Sequence, residues 1–480
     1  MLDKDLPRRR QKVRFDTLRR AVTRSADPRL ALGGLWKCAI VGPHRHSLGN
    51  PASQSEFRRG NDTEHYPLKL FARSKPHAAW AVAACALIMS ACATVDRAPE
   101  MSLQQLERGL IATQDPRIRA SDSARLDRIT EDFRSRLGQS DHRRAILALS
   151  GGGANGAYGA GLLVGWTERG DRPEFDIVTG VSTGALAAPY AFLGPDWDDE
   201  LAMAYSDGQT EGLLSWRSFA AFLSPGLFSP RTLETLVEKN VTPALLAEIA
   251  EENRAGRRLF VATTNLDSGE TVIWDMGLLA EAGDDNALHL FRQVLLASAS
   301  IPSVFPPVLI AGVTEDGMVR QEMHVDGGVN TPFLGVPEGL ILSAEGLPDW
   351  RGSELFIVVN GKLAQEYRQT RGSLPAVLAR SYNSMSRASL RTSLAAQGAF
   401  ARRNGVRVSV AAIPHDIDAS ALDFDQESMT ALFPVGRRRA ASGQGWESLN
   451  ADLVEPPPAP SPTSTADPAP PAAASAPENQ

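Results

Sequence analysis

Three short stretches of the sequence carry residue types able to create a nucleophile and to stabilise the charge it generates. Gly180-Val181-Ser182-Thr183-Gly184 follows the apolar segment Phe175–Thr179 and precedes the helical run ALAAPYAFL. In such a strand–turn–helix setting a serine is thrust out at the end of a strand, and the flanking glycines permit the tight turn. Upstream, the apolar run Ala145–Leu149 leads into Gly151-Gly152-Gly153-Ala154-Asn155-Gly156. A backbone so bare of side chains lets N–H groups close on an anion at a helix N-terminus. That anion is a bound phosphate or an oxyanion formed during a reaction. A phosphate loop continues into Gly-Lys-Ser/Thr, whereas Asn155-Gly156-Ala157-Tyr158 offers no lysine. Downstream, Asp326-Gly327-Gly328 closes a strand-like run and leaves a carboxylate at a turn, although most Asp-Gly-Gly sequences are turns and nothing more.

A serine nucleophile needs a base. Past residue 93 the histidines are His142, His289, His324 and His415. A hydrolase triad with its histidine late in the chain would depend on His415, in the unremarkable setting AAIPHDID. Asp326, in MHVDGGVNTP, is the better-placed candidate. The cysteines are Cys38, Cys85 and Cys92, so the body of the chain holds no disulfide, no cysteine nucleophile and no cysteine-based metal site. No cofactor or metal is expected.

The elements that must position these residues alternate. Strand-like runs at 145–150, 176–181, 258–264, 271–275, 322–326 and 354–360 are interleaved with helical patterns at 156–169, 184–193, 231–238, 288–298 and 374–402. That alternation predicts an α/β fold around a mostly parallel sheet. The chain has 480 residues, 43% of them hydrophobic, which is ample for a large core. Its net charge of −6 divides unevenly: residues 1–76 carry +10 and the remainder −16. An acidic body argues against nucleic acid as a partner.

Residues 1–68 are Arg-rich and irregular, and read as a disordered extension or, preferably, as lying upstream of the true start. Residues 69–92 have a basic beginning (Lys69, Arg73, Lys75), an apolar Ala78–Ala91 too short to span a bilayer comfortably, and then Cys92. Met89-Ser90-Ala91-Cys92 resembles a bacterial lipobox, which implies a signal segment cleaved before a lipid-modified Cys92. An ordinary signal peptide or a short buried helix are the plainer readings. Residues 93–144 read as a polar, partly helical linker, and 455–480 as a Pro/Ala-rich tail unable to form a core.

The glycine loop, the Gly180–Gly184 turn and Asp326-Gly327-Gly328 occur in that order, each at the end of an expected strand. ASASIPSVFPP (297–307) lies between the last two. Together they resemble the patatin-like phospholipase family. The resemblance implies a three-layer α/β/α sandwich over 145–340, with 341–454 as a C-terminal α/β extension. It further implies Ser182 as nucleophile, Asp326 as base without a histidine, and an oxyanion hole from Gly151, Gly152, Gly153 and Ala154. Gly156, Gly180, Gly184, Gly327 and Gly328 are then the motif glycines. Many members of that family carry a basic residue where this chain has Asn155, which bears on headgroup preference.

The expected activity is hydrolysis of a lipid or acyl ester through an acyl-serine, at the cell envelope and anchored by Cys92. Ala93 after that cysteine leans toward the outer membrane where the cell has one. The competing readings are a catalytically silent lipid-binding lipoprotein and a nucleotide-binding protein. Asp176, Arg292 and Gln293 read as structural. The apolar stretch Trp216, Phe219, Phe222, Leu223, Leu227 and Phe228 reads as core, or as a lid over an acyl groove. The arginines around helix 374–402 read as a solvated face ahead of headgroup contact.

Overall fold

The computed structural model describes residues 115–119, 144–206, 230–302, 304–313, 319–336, 350–364, 369–419, 421 and 426–450, with single positions 97, 122 and 341. The expectations for 1–68, the 69–92 signal segment with Cys92, the apolar stretch 216–228 and the tail from 455 lie outside these residues. Contacts divide the chain into Met1–Arg73 and Ser74–Gln480, and all described residues belong to the second unit.

The strands are β1 (Arg117–Arg119), β2 (Ala145–Leu149), β3 (Ile177–Val181), β4 (Arg258–Asn265) and β5 (Thr271–Asp275). They continue as β6 (Val308–Val313), β7 (Val319–Asp326), β8 (Glu354–Val359), β9 (Arg407–Ala412) and β10 (Glu447–Ser448). The helices are α1 (Gly156–Arg169), α2 (Thr183–Leu193), α3 (Asp198–Ser206), α4 (Pro230–Asn240) and α5 (Pro243–Arg254). After them come α6 (Met276–Ala282), α7 (Asp285–Ser298), α8 (Leu374–Asn404) and α9 (Gln426–Ala441).

All described strands join one sheet, in the order β1-β5-β4-β3-β2-β8-β9-β10, with β7 pairing β4 and β6. The five strands β4, β3, β2, β8 and β9 run parallel, and β1, β5, β6, β7 and β10 pair antiparallel around them. Continuous burial of the AILAL and IVTGV strands is what a parallel sheet covered on both faces requires.

Alternate residues supply the two faces. Leu147, Leu149 and Val178 pack under α1, α2, α5, α7 and α9 through residues such as Leu162, Phe192, Ile249, Phe291 and Leu432. Ile146, Ala148 and Ile177 face the other way, toward Phe333, Leu334 and Leu390, Leu394 and Phe400 of α8. The result is a three-layer α/β/α sandwich with a mostly parallel sheet. Each large aliphatic or aromatic side chain so buried contributes about 1.5–3 kcal/mol.

Local chemistry sets the helix boundaries. Thr242, Asp275 and Asp284 cap α5, α6 and α7 by accepting from Leu245, Leu278 and Ala287 N–H. Part of the glycine content of α1 serves packing. A Cβ on Gly161 would stand 2.0 Å from the Phe433 carbonyl and one on Gly165 2.1 Å from that of Arg437, so α9 lies backbone-close on α1.

The structure adds elements that periodicity did not reveal. The polar N-terminal half of β7 pairs only with β6, away from the parallel core, and does not read as a strand. Residues beyond 341 supply β8, β9 and β10 to the same sheet, so β2 sits between β3 and β8.

Candidate active site

Parallel strands end together, and β3 delivers Ser182 to that common edge. Ser182 is the one non-glycine residue with positive φ among the described residues (φ 57°, ψ −127°). Such a backbone costs about 1–3 kcal/mol and persists only where its surroundings hold it. They do so here. Its N–H donates to Ser298 Oγ at 2.9 Å, and Ser298 Oγ donates to the Ala262 carbonyl at 2.7 Å. Its carbonyl accepts from Ala185 and Leu186 as α2 begins. The motif glycines allow the close packing: a Cβ at Gly156 would lie 2.0 Å from Thr183 Oγ1, at Gly180 2.5 Å from Ala185 Cα, at Gly184 2.4 Å from the Leu149 carbonyl, and at Gly327 2.5 Å from that of Ala262.

Asp326 arrives on β7, opposite Thr263 of β4. Its N–H donates to the Ser300 carbonyl at 3.0 Å, and its Oδ1 accepts from Gly328 N–H at 2.7 Å. The Ser182 hydroxyl lies near enough to the same carboxylate to lower its pKa. The segment Ser298–Ser300 therefore grips both residues, one through a side chain and the other through a carbonyl. Ser182 is 3% and Asp326 2% exposed. Burial pushes the Asp326 carboxyl up to about 6, against the bonds from Ser182 and Gly328, which lower it.

Neither candidate histidine joins them. His324 is fully buried, with Nδ1 2.9 Å from Thr263 Oγ1 and Nε2 3.4 Å from Glu322 Oε2. His415 is exposed on a loop, its carbonyl accepting from Lys362. His289 is exposed on α7.

The glycine loop is pinned by Asn360 at the end of β8. Asn360 N–H donates to Ser150 Oγ at 2.8 Å and its amide to the Ser150 carbonyl at 2.9 Å. Two of the four expected oxyanion donors are corrected by this structure. Gly151 N–H donates to the Pro332 carbonyl at 3.1 Å and Ala154 N–H to that of Ala421 at 3.0 Å, so neither points at a substrate. Among the described residues, Gly152 and Gly153 N–H have no protein acceptor. Gly153 takes φ 56° and lines the cleft beside Ser182. Gly152 lies so close to Asn360 that a Cβ would come within 2.1 Å of its carbonyl. Asn155 is 5% exposed within the turn and does not line the cleft.

Ser182, Gly153 and Thr183 line a cleft of about 740 Å³ of empty space, mouth included. Leu186, Leu233, Val237, Leu295, Ile301 and Phe305 form much of its wall, and no lining residue is charged. Its phenols are already spoken for. Tyr205 donates to the Thr183 carbonyl at 2.7 Å and Tyr190 to that of Asn240 at 3.4 Å, and burial raises both pKa values. Arg292 closes the C-terminus of α4 through the Val241 and Glu238 carbonyls, a wall-holding role. Asp176 ties β3 to β2 by accepting from Ala145 N–H at 2.8 Å.

Sequence reasoning missed Ser298 and Asn360. Ser298 lay inside the noted ASAS stretch, but small polar residues in a row carry no sign of what they touch. Asn360 offered no signal.

The sequence of residues 147–336 matches the family model described as patatin-like phospholipase, from β2 through the turn after β7. No curated protein matches the chain. Among solved structures, VipD from Legionella pneumophila is similar over 65% of this chain and 68% of that one, at 13% identity and a TM-score of 0.30. So low a score adds nothing to the family match. The glycine loop, the Ser182 turn and the Asp326 turn all fall inside the matched span, so residues 147–336 carry a patatin-like phospholipase family-model domain.

Proposed function

We propose that the protein is a serine lipid acyl hydrolase working through a Ser182–Asp326 dyad. One observation carries this reading: Ser182, on its positive-φ turn, lines an apolar cleft with no charged wall residue, and the buried Asp326 is held beside it through the segment Ser298–Ser300. Such a wall suits an acyl chain and offers nothing to a nucleotide's phosphates.

Asp326 accepts the Ser182 hydroxyl proton as Oγ bonds to the ester carbonyl carbon, and the carbonyl π pair moves onto oxygen. Gly152 and Gly153 N–H groups receive that oxyanion, and each such donor is worth about 3–4 kcal/mol of barrier. Collapse breaks the bond to the leaving oxygen, which departs as an alcohol with the proton from Asp326. A water then gives its proton to Asp326 and attacks the acyl-serine. Ser182 leaves with that proton, and the fatty acid is released. A carboxylate near its reference pKa of about 3.9 is a weak base, and desolvation to about 6 brings it closer to working pH.

A fluorophosphonate probe tests the reading. The wild-type chain is expected to label, and Ser182→Ala to lose the label entirely. Equal labelling of both would remove Ser182 as nucleophile. Intact lipid binding by an unlabelled wild type would instead favour the silent lipid-binding protein. The envelope location through a lipid-modified Cys92 belongs to the same proposal, supported by the basic, apolar and small-residue run before that cysteine. Mass spectrometry of membrane-extracted protein should then find no peptide preceding Cys92.

A further inference from the structure

Six large hydrophobic side chains are exposed among the described residues, and three of them, Val377 (45%), Tyr382 (41%) and Met385 (72%), lie on the N-terminal half of α8. A fourth, Val329, follows the Asp326-Gly327-Gly328 turn. Residues Ser381 through Met385 are all exposed, and among the described side chains of α8 the first to enter the buried core is Leu390. Over its 31 residues α8 carries Arg380, Arg387, Arg391, Arg402 and Arg403 and neither Asp nor Glu, in a chain of net charge −6. Arg371, just before it, is exposed. Arg387 donates to the Ala364 carbonyl and fixes the helix at mid-length.

This face borders the site. The Tyr382 phenol lies near enough to Asp326 to feel its charge, on the α8 side of the sheet, whereas the apolar cleft runs along the α2–α4 side.

We propose that the N-terminal half of α8 docks on the surface of an anionic lipid bilayer, with Val377, Tyr382 and Met385 entering the headgroup region. The proposal rests on the acyl-hydrolase reading for its biological sense. Exposed apolar side chains on a helix whose charges are all positive are what interfacial binding uses, and tyrosine favours the water–lipid boundary. Arginines near the surface add attraction to anionic headgroups, which salt screens. No described helix is long and apolar enough to cross a membrane. Such a contact would be a second attachment beside an acylated Cys92, turning the dyad toward the lipid.

The test is sedimentation of the full chain, carrying Cys92→Ser and Ser182→Ala, with vesicles of phosphatidylglycerol and phosphatidylcholine in equal parts or of phosphatidylcholine alone. Neither acylation nor turnover then enters the result, so it stands or falls apart from the catalytic reading. Binding is expected to the anionic vesicles and to weaken with salt. Val377→Ser with Met385→Ser should lower it by about tenfold or more, and Arg371→Glu by a smaller factor. In a chain with Ser182 intact, the same changes should leave kcat/KM on a dissolved short-chain ester within about twofold, since they fall on exposed side chains. Undiminished vesicle binding by the double variant overturns the proposal, as does equal binding to neutral vesicles. So does loss of dissolved-ester turnover in the double variant, or a wild-type dimer that the double variant dissolves.

Discussion

Strand β7 buries two carboxylates and treats them in opposite ways. Glu322 and Asp326 are 8% and 2% exposed. At Glu322 burial pushes the pKa up, but the hydrogen bond from His324 and the charges of Arg117, His324 and Arg119 outweigh it and hold the group below its ordinary value. Arg117 reaches Glu322 at 3.2 Å from β1 and Arg119 at 3.6 Å. At Asp326 no cation contributes, and the bonds from Ser182 and Gly328 fall short of the desolvation, leaving the group at about 6. A compensated carboxylate is suited to be a strut, and an uncompensated one to take up a proton, the role proposed for Asp326. His324 lies between them in sequence and serves the strut.

The sharpest way to break this comparison is Asp326→Asn. Ester turnover should fall by about a thousandfold or more, the scale of general-base catalysis. The protein should at the same time gain stability at neutral pH, on the order of 2–3 kcal/mol, because a desolvated charge is removed while Asn still accepts from Gly328 N–H. Chemical denaturation beside steady-state kinetics separates the two. A loss of both activity and stability would mean that Asp326 is structural.

Loosening the grip on the proposed nucleophile comes next. Ser298→Ala removes the acceptor that holds Ser182 N–H in its positive-φ turn. We expect kcat to fall about tenfold with KM little changed, since the acyl cleft is untouched. Asp284→Ala, which removes the cap at the other end of α7, serves as the control and should leave kcat near wild type.

Glu322→Gln is the counterpart of the first change. Stability should drop by about 2–3 kcal/mol as Arg117 is left facing an uncharged partner, while turnover at a temperature where the variant is folded stays within about threefold. Thermal melts and kinetics on one preparation decide it.

The smallest effect is in pH dependence. The acid limb of kcat/KM should lie at about 6 and should not move in Glu322→Gln, because Asp326 titrates independently of that cluster. The stability signs oppose each other. The folded pKa of Asp326 is raised, so its unfavourable contribution is full above about 6 and fades as pH falls toward the unfolded value of about 3.9. The folded pKa of Glu322 is depressed, so its contribution holds above the unfolded value and is lost as pH falls through the folded one.

Much of this molecule was legible in order and little of it in contact. The strands Ala145–Leu149, Ile177–Val181, Arg258–Asn265 and Thr271–Asp275 announce themselves through their short apolar runs, which burial in the sheet requires. The Ser182 turn is legible because a sharp strand-to-helix reversal leaves room only for small residues, a local requirement. The strand Arg407–Ala412 and helix Gln426–Ala441 went unread, since their burial comes from partners elsewhere in the chain.

By itself the sequence determined the alternation of strands and helices, the three glycine-marked strand ends and the absence of cysteine chemistry beyond residue 92. These are properties of neighbouring residues, and local sterics and periodicity decide them. Only the tertiary structure decided which glycine N–H groups remain available. Gly151 and Ala154 lose theirs to Pro332 and Ala421, carbonyls that lie far along the chain. Only the tertiary structure likewise left Asp326 without a counter-charge and gave His324 to Glu322. Desolvation and counter-charge are set by what packs around a group, and Arg117 meets Glu322 across 205 residues of chain.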